Sequence, residues 1–371
     1  MRTSQESREG HPSGRCRILA WPKRIALNPY FATISEGIEH RGWRVENFTY
    51  IRGFVGSFDI LHVHFPTFPF NNRRLWITAA RLLIFGSILV LLRARGKKIA
   101  WTVHNLAHHE RYHPSLEKAF INWFTGKVDL TIHLSEFGRA AALERFPRLR
   151  GRPSVVIAHA HYGEPPPNGL TPADVARMLE LEENASIVLF FGQIRPYKNI
   201  PELIKVFSRL QRTDARLLIV GGVSNDRLER EVREAASDER VLLRLGPIPD
   251  DQLRRYLAAA TLVVLPYREI LNSGSALLAL THARPLLIPD MGAMAELQSR
   301  VGPDWARLFA PPLSVEQLEE AIAWAERPRT SRPNLRPFDP GAMVQAHMEA
   351  FADLFSAETA AAQTGQYPHR S

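Results

Sequence analysis

Apolar and polar positions along the chain follow two rhythms in turn. Short apolar, β-branched runs at residues 17–21, 60–65, 98–103, 130–134 and 155–158 are separated by stretches with the spacing of amphipathic helices. A Pro- and Gly-rich break at 163–169, GEPPPNG, interrupts the pattern, and further runs follow at 187–191, 216–220, 241–245, 262–265 and 285–288. The alternation predicts an α/β chain of two Rossmann-like domains, residues 17–165 and 166–335, facing across a cleft bordered by the carboxyl ends of their strands. A closing helix is expected over 336–357, with Asp339 as its cap and Pro340 in its first turn. Residues 1–16 and 358–371 are polar and read as a disordered leader and tail, the leader lacking the apolar core of a secretory signal.

One stretch departs from the amphipathic pattern. Residues 75–92, LWITAARLLIFGSILVLL, are apolar almost all round, close to the length needed to cross a bilayer. The run lies between two strand candidates, and spanning would put neighbouring strands on opposite sides of the membrane. Two readings remain open at this stage: a buried helix, or a helix whose outer face touches lipid.

Composition narrows the function classes. The chain of 371 residues is 45% hydrophobic, enough for two cores, and its single cysteine, Cys16, excludes an internal disulfide and any CxxC metal or redox pair. The cytosol is the expected compartment. Residues 1–165 hold 24 Lys and Arg against 12 Asp and Glu, whereas residues 166–371 hold 23 against 26. A basic first half suits an anionic membrane surface; without a recognition helix or zinc finger, nucleic acid is not an expected partner.

The chemistry-bearing residues cluster where strands end. In FFGQIRPYKN, an apolar run stops at Gly192 and is followed by Gln193, Arg195 and Lys198, two cations suited to a diphosphate. In LPYREILNSGSALL, Tyr267 precedes Asn272, Ser273, Gly274 and Ser275 at a helix start, where free amides, hydroxyls and the helix dipole form a phosphate cradle. In WTVHNLAHHE, His104 and Asn105 end a strand; Glu110, with His104 or His109 competing, is the candidate base. His64 in LHVHFP and Asn28 and Tyr30 in NPYF border the cleft as acceptor-side candidates, while His62 is expected to pack. His104, His108, His109 and His113 lack the fixed spacing of a helical zinc site, so no metal is expected. No GxGxxG follows the first strand, which weakens a nicotinamide oxidoreductase.

Together these motifs resemble the GT-B glycosyltransferases related to the large family-four group, over residues 17–355 or so. The resemblance implies a second domain that binds a nucleotide sugar, with LGPIPDDQLRRYLAAATLVVLPY running past the base at Gly246, Pro247 and Ile248, and a first domain that brings the acceptor. It also implies a C-terminal helix that returns to the first domain. Retaining members carry two glutamates separated by seven residues, and Ile270 and Leu278 stand at the matching positions here. That departure favours inverting relatives of exopolysaccharide and glycolipid assembly, GDP-mannose-dependent glycolipid mannosyltransferases above all. These act on lipid-linked saccharides at the inner face of the plasma membrane and take the nucleotide sugar as co-substrate, with no cofactor. Glu269 lies near enough to the missing pair to keep a retaining reaction open, Glu296 is expected near the nucleotide ribose, and UDP-sugar donors, an epimerase and a non-catalytic glycan-binding protein remain as alternatives.

Overall fold

The computed structural model describes residues 16–25, 28–106, 112–163, 174, 177 and 185–364, with side chains to residue 356. The first sheet contains β1 (Arg17–Trp21), β2 (Arg44–Asn47), β3 (Ile60–Val63), β4 (Lys98–Val103), β5 (Leu130–His133) and β6 (Ser154–Val156), in the order β2-β1-β3-β4-β5-β6. All its pairings are parallel. Its helices are α1 (Pro29–His40), α2 (Tyr50–Val55), α3 (Leu75–Ala94), α4 (Pro114–Thr125) and α5 (Glu136–Arg145).

The second sheet repeats the plan with β7 (Ser186–Phe191), β8 (Ala215–Gly221), β9 (Val241–Leu245), β10 (Leu262–Val264), β11 (Leu286–Pro289) and β12 (Ala306–Phe309), ordered β12-β11-β10-β7-β8-β9. It too is parallel throughout. Around it lie α6 (Ile200–Ser208), α7 (Asp226–Ala235), α8 (Asp250–Ala259), α9 (Gly274–Thr281), α10 (Ala293–Val301) and α11 (Val315–Ala325). The expected α/β fold of two Rossmann-like halves is therefore the fold observed. Each sheet has one edge strand more than the periodicity predicts: β2 buries only Val45, and β12 buries only Ala306 and Phe309.

Central strands are buried on both faces, as parallel sheets require. Ile18 and Ala20 of β1 point to a cluster with Ile34 and Ile38 of α1, while Leu19 points to the opposite cluster with Phe85, Ile88 and Leu89 of α3. The last helix, α12 (Pro340–Thr364), lies on the first of these clusters through Val344, Phe351 and Leu354. Its return to the first domain agrees with expectation, and it runs beyond residue 357 to Thr364. Val344 packs so closely on α1 that a Cβ added at Gly37 would fall 2.5 Å from a Val344 methyl.

The topology fixes where ligands can bind. In each sheet the strand order reverses beside the first strand: between β1 and β3 in the first, and between β7 and β10 in the second. The crevice at the carboxyl ends there is the ligand position of open α/β sheets.

Candidate active site

In the second domain, the two motifs flanking this switch point converge. β7 ends at Phe191 and is followed by Gly192, whose φ of +106° lies in the left-handed region. A Cβ there would sit 3.3 Å from Ser275 Oγ and 3.4 Å from Lys198 Nζ, so a hydroxyl and an ammonium meet over this glycine. The Lys198 ammonium also lies over the rings of Phe190 and Tyr267, 5.6 and 5.4 Å from their centroids. Burial pushes its pKa down, the Tyr197 phenol acts against that, and the Arg195 guanidinium adds to it. No carboxylate lies within ion-pair distance of Lys198 or Arg195 among the described residues, an arrangement costly for a buried cation and suited to an anionic ligand.

The other wall is the start of α9. Ser273 caps the helix, its Oγ accepting from the Ala276 amide at 3.2 Å. Tyr267, 2% exposed, lies against Ser273 and Ser275; burial raises its pKa to about 12, and the two hydroxyls pull the other way. Asn272 Nδ2 is buried without a partner among the described residues. Gln193 is exposed beside Gly222, and Gly246, Pro247 and Ile248 follow β9. The Gly246 amide donates to Gly221 O at 3.1 Å, and a Cβ at Gly221 would lie 2.2 Å from Gly192 O, so these loops are in tight backbone contact.

The first-domain switch point is built from aromatic and imidazole rings. Asn28 caps α1 by accepting from the Tyr30 amide at 3.2 Å. Tyr30 is 2% exposed and stacks on His159 with centroids 4.4 Å apart; its hydroxyl has no partner among the described residues. His64, also buried, shares a hydrogen bond of 3.0 Å between its Nδ1 and His104 Nε2. His62 packs as expected, 2.8 Å from Thr102 Oγ1. Burial lowers the pKa of His104 to about 3, with His159 and His347 adding to the effect, and that of His159 to about 4. These rings are neutral at pH 7. Asn105 is exposed on the same turn, while His108, His109 and Glu110 lie outside the described residues. Among those described, no group of three His, Cys, Asp or Glu is placed to hold a metal ion.

Across the cleft the two halves touch. A Cβ at Gly274 would fall 2.6 Å from the Tyr162 hydroxyl and 3.6 Å from His159 Nε2, so first-domain rings approach the start of α9. His159 Nδ1 donates to Ala160 O at 2.7 Å, which leaves Nε2 as the ring's acceptor. Glu296 of α10 accepts from the Glu136 and Phe137 amides at the start of α5, at 3.0 and 3.3 Å, and pairs with Arg300 at 2.5 Å. A cavity of about 40 Å³ lies between these contacts, lined among others by Ser135, His159, Asn272 and Ser273. His159 and Tyr162 were not among the residues singled out from sequence, although AHAHYG directly follows a strand-like run. The strand-end rule applied to that run would have found them.

Residues 185–326 match the family described as Glycosyl transferases group 1. Two curated relatives, both GDP-mannose:glycolipid 4-beta-D-mannosyltransferases from Xanthomonas campestris pv. campestris, are each 27% identical over 340 residues, 90% of this chain and 91% of theirs. Among solved structures, sucrose-phosphate synthase from Thermosynechococcus elongatus aligns with a TM-score of 0.67 at 18% identity, covering 92% of this chain and 100% of that one. HepE from Anabaena, solved with UDP, gives 0.63 at 14% identity over 92% and 100% of the two chains. The catalytic domain of starch synthase IV from Arabidopsis thaliana gives 0.66 at 10% identity over 93% and 100%. At these identities the solved structures speak for the fold alone.

Proposed function

Taking the chain as a GT-B glycosyltransferase with a group 1 domain over residues 185–326, we propose that it moves mannose from GDP-mannose onto a lipid-linked saccharide at the inner face of the plasma membrane, with inversion to a β-linkage. The donor diphosphate sits between Lys198, Arg195 and the amides and hydroxyls at the start of α9. As the acceptor oxygen bonds to the anomeric carbon, the bond from that carbon to the diphosphate oxygen breaks and its electron pair leaves with the diphosphate. The acceptor proton passes to a base on the first domain. Glu110 is the favoured base, with His104 and His109 competing; burial holds His104 neutral at pH 7 with a pKa of about 3, far from the operating pH, which favours Glu110. Closure of the halves keeps water from the reacting carbon.

The observation that carries this reading is the meeting of Lys198 Nζ and Ser275 Oγ over Gly192, a cation with no carboxylate partner among the described residues, beside a capped helix start. Preorganised donors of this kind stabilise charge as it develops on a leaving group. The name borne by the two relatives supports mannose and GDP, and Ile270 and Leu278 at the positions of the retaining pair support inversion. The test is transfer to a polyprenyl-diphosphate-linked oligosaccharide from GDP-mannose, UDP-glucose and UDP-glucuronate in parallel. A β-mannosylated product formed from GDP-mannose supports the proposal; turnover with a UDP-sugar alone, or an α-linked product, overturns it.

A further inference from the structure

Helix α3 settles the question its sequence left open, because only one of its faces is used by the fold. Phe85, Ile88, Leu89 and Leu92 are at most 1% exposed against the first sheet, whereas Leu75, Trp76, Leu83 and Val90 are 58, 68, 72 and 52% exposed. Its most apolar window is only 28% buried at a mean hydropathy of 2.2. Soluble proteins seldom leave so large an apolar face bare without a partner. Spanning is ruled out by the strands on either side, since β3 and β4 pair directly in register Ile60↔Lys98. Beside the exposed face runs a groove of about 830 Å³, walled by Leu83, Gly86 and Val90 of α3 and Leu116, Phe120 and Trp123 of α4.

The charges around this face select the partner. Between Asp59 and Glu110 the chain contains no acidic residue and seven arginines and lysines. Arg73 and Arg74 are exposed just before the helix; Arg93 and Arg95 at its end are exposed too, with Arg93 paired to Asp129 and Arg95 donating to Phe54 O, so the two arginines before the helix supply most of the charge open to a partner. A second copy of the chain docking on this face would bring those cations against their own counterparts. An anionic lipid leaflet offers hydrocarbon for the apolar face and negative headgroups for its ends. We propose that α3 lies along an anionic leaflet, with Leu75, Trp76, Leu83 and Val90 entering the acyl region, an acyl chain occupying the α3–α4 groove, and the flanking arginines meeting headgroups. Because α3 follows β3, its Trp76 end lies at the same end of the sheet as His64, beside the cleft. A saccharide carried on a membrane lipid would enter there; the inference rests on the lipid-linked acceptor reading for this purpose alone.

Flotation of the full chain with vesicles, in the absence of any sugar donor or acceptor, tests it. Binding to phosphatidylcholine vesicles containing phosphatidylglycerol is expected, with about tenfold less to phosphatidylcholine alone or at high salt. Leu83→Glu with Val90→Glu should lose about tenfold in flotation while keeping the wild-type unfolding temperature and turnover on a short-chain soluble acceptor. Arg73→Ser with Arg74→Ser, which leaves the apolar face intact, should weaken anionic binding selectively. Wild-type protein that fails to float, a glutamate variant that floats equally well, or a dimer dissolved by the glutamates without vesicle binding would each overturn it. Transfer to a soluble acceptor without flotation counts against this inference and leaves the transferase reading intact.

Discussion

The two switch points of this molecule share a topology and differ in charge. Beside β7 and β10 stand Lys198, Arg195, Ser273 and Ser275, a cationic and hydroxyl-rich lining against Tyr267. Beside β1 and β3 stand Tyr30, His64, His104 and His159, rings that burial keeps neutral. One strand arrangement thus carries a cationic lining in one half and a neutral, ring-built lining in the other, and the residues just past the strands decide which.

The largest effect should come from erasing the difference on the cationic side. Lys198→Met removes the charge at similar volume, and turnover should fall by roughly 10²–10³. The unfolding temperature should hold or rise, because a buried ammonium with no carboxylate partner among the described residues is replaced by an apolar chain. Turnover within threefold of wild type would take the diphosphate away from this site. Gly192→Ala sharpens the same contrast through the backbone: at φ +106°, with Ser275 and Lys198 at close range, alanine should cost about 1–3 kcal/mol, read by urea unfolding.

Acid should act on the opposite half. His62, His64, His104, His133 and His159, with His347 of α12, all have lowered pKa values, whereas the second domain holds one such histidine, His282. For His347, lowered from 6.5 to about 4 by burial, the unfolded chain takes up the proton more readily. Its contribution is intact above pH 6.5 and is lost as pH falls toward 4, by up to about 1.4 kcal/mol per pH unit. Limited proteolysis at pH 7 and pH 5 should show the first half opening first; loss of the second half first would contradict the assignment. The smallest effect concerns the contact between halves: Gly274→Ala should destabilise, and Tyr162→Phe in the same chain should recover about 1 kcal/mol by removing the hydroxyl that the new methyl would strike.

What could be seen in the sequence follows from how local each feature is. Central strands such as β7 are unbroken apolar runs, and the donor-side residues 192–198 and 272–275 lie in two short contiguous motifs. β2 and β12 escaped notice because an edge strand with few buried positions has no strong period. The ring cluster was only partly visible: His64, His104, His159 and His347 come from four distant segments, and nothing in the sequence near His347 announces that it approaches His62, with ring centroids 6.0 Å apart. For α3, a helix apolar on every side has no periodicity to tell the packed face from the bare one.

The course of α12 has a mechanical consequence. The chain crosses from the first half to the second before β7 and crosses back at residue 339, so two separate threads join the halves. A body pinned at two points keeps one easy freedom, rotation about the line through the pins, and resists twisting or sliding. Opening and shutting of the cleft then becomes a door-like swing that returns Gly274 to the same place against Tyr162 in each cycle. Cutting the second thread would leave α12 packed on the first half and turn the hinge into a loose swivel.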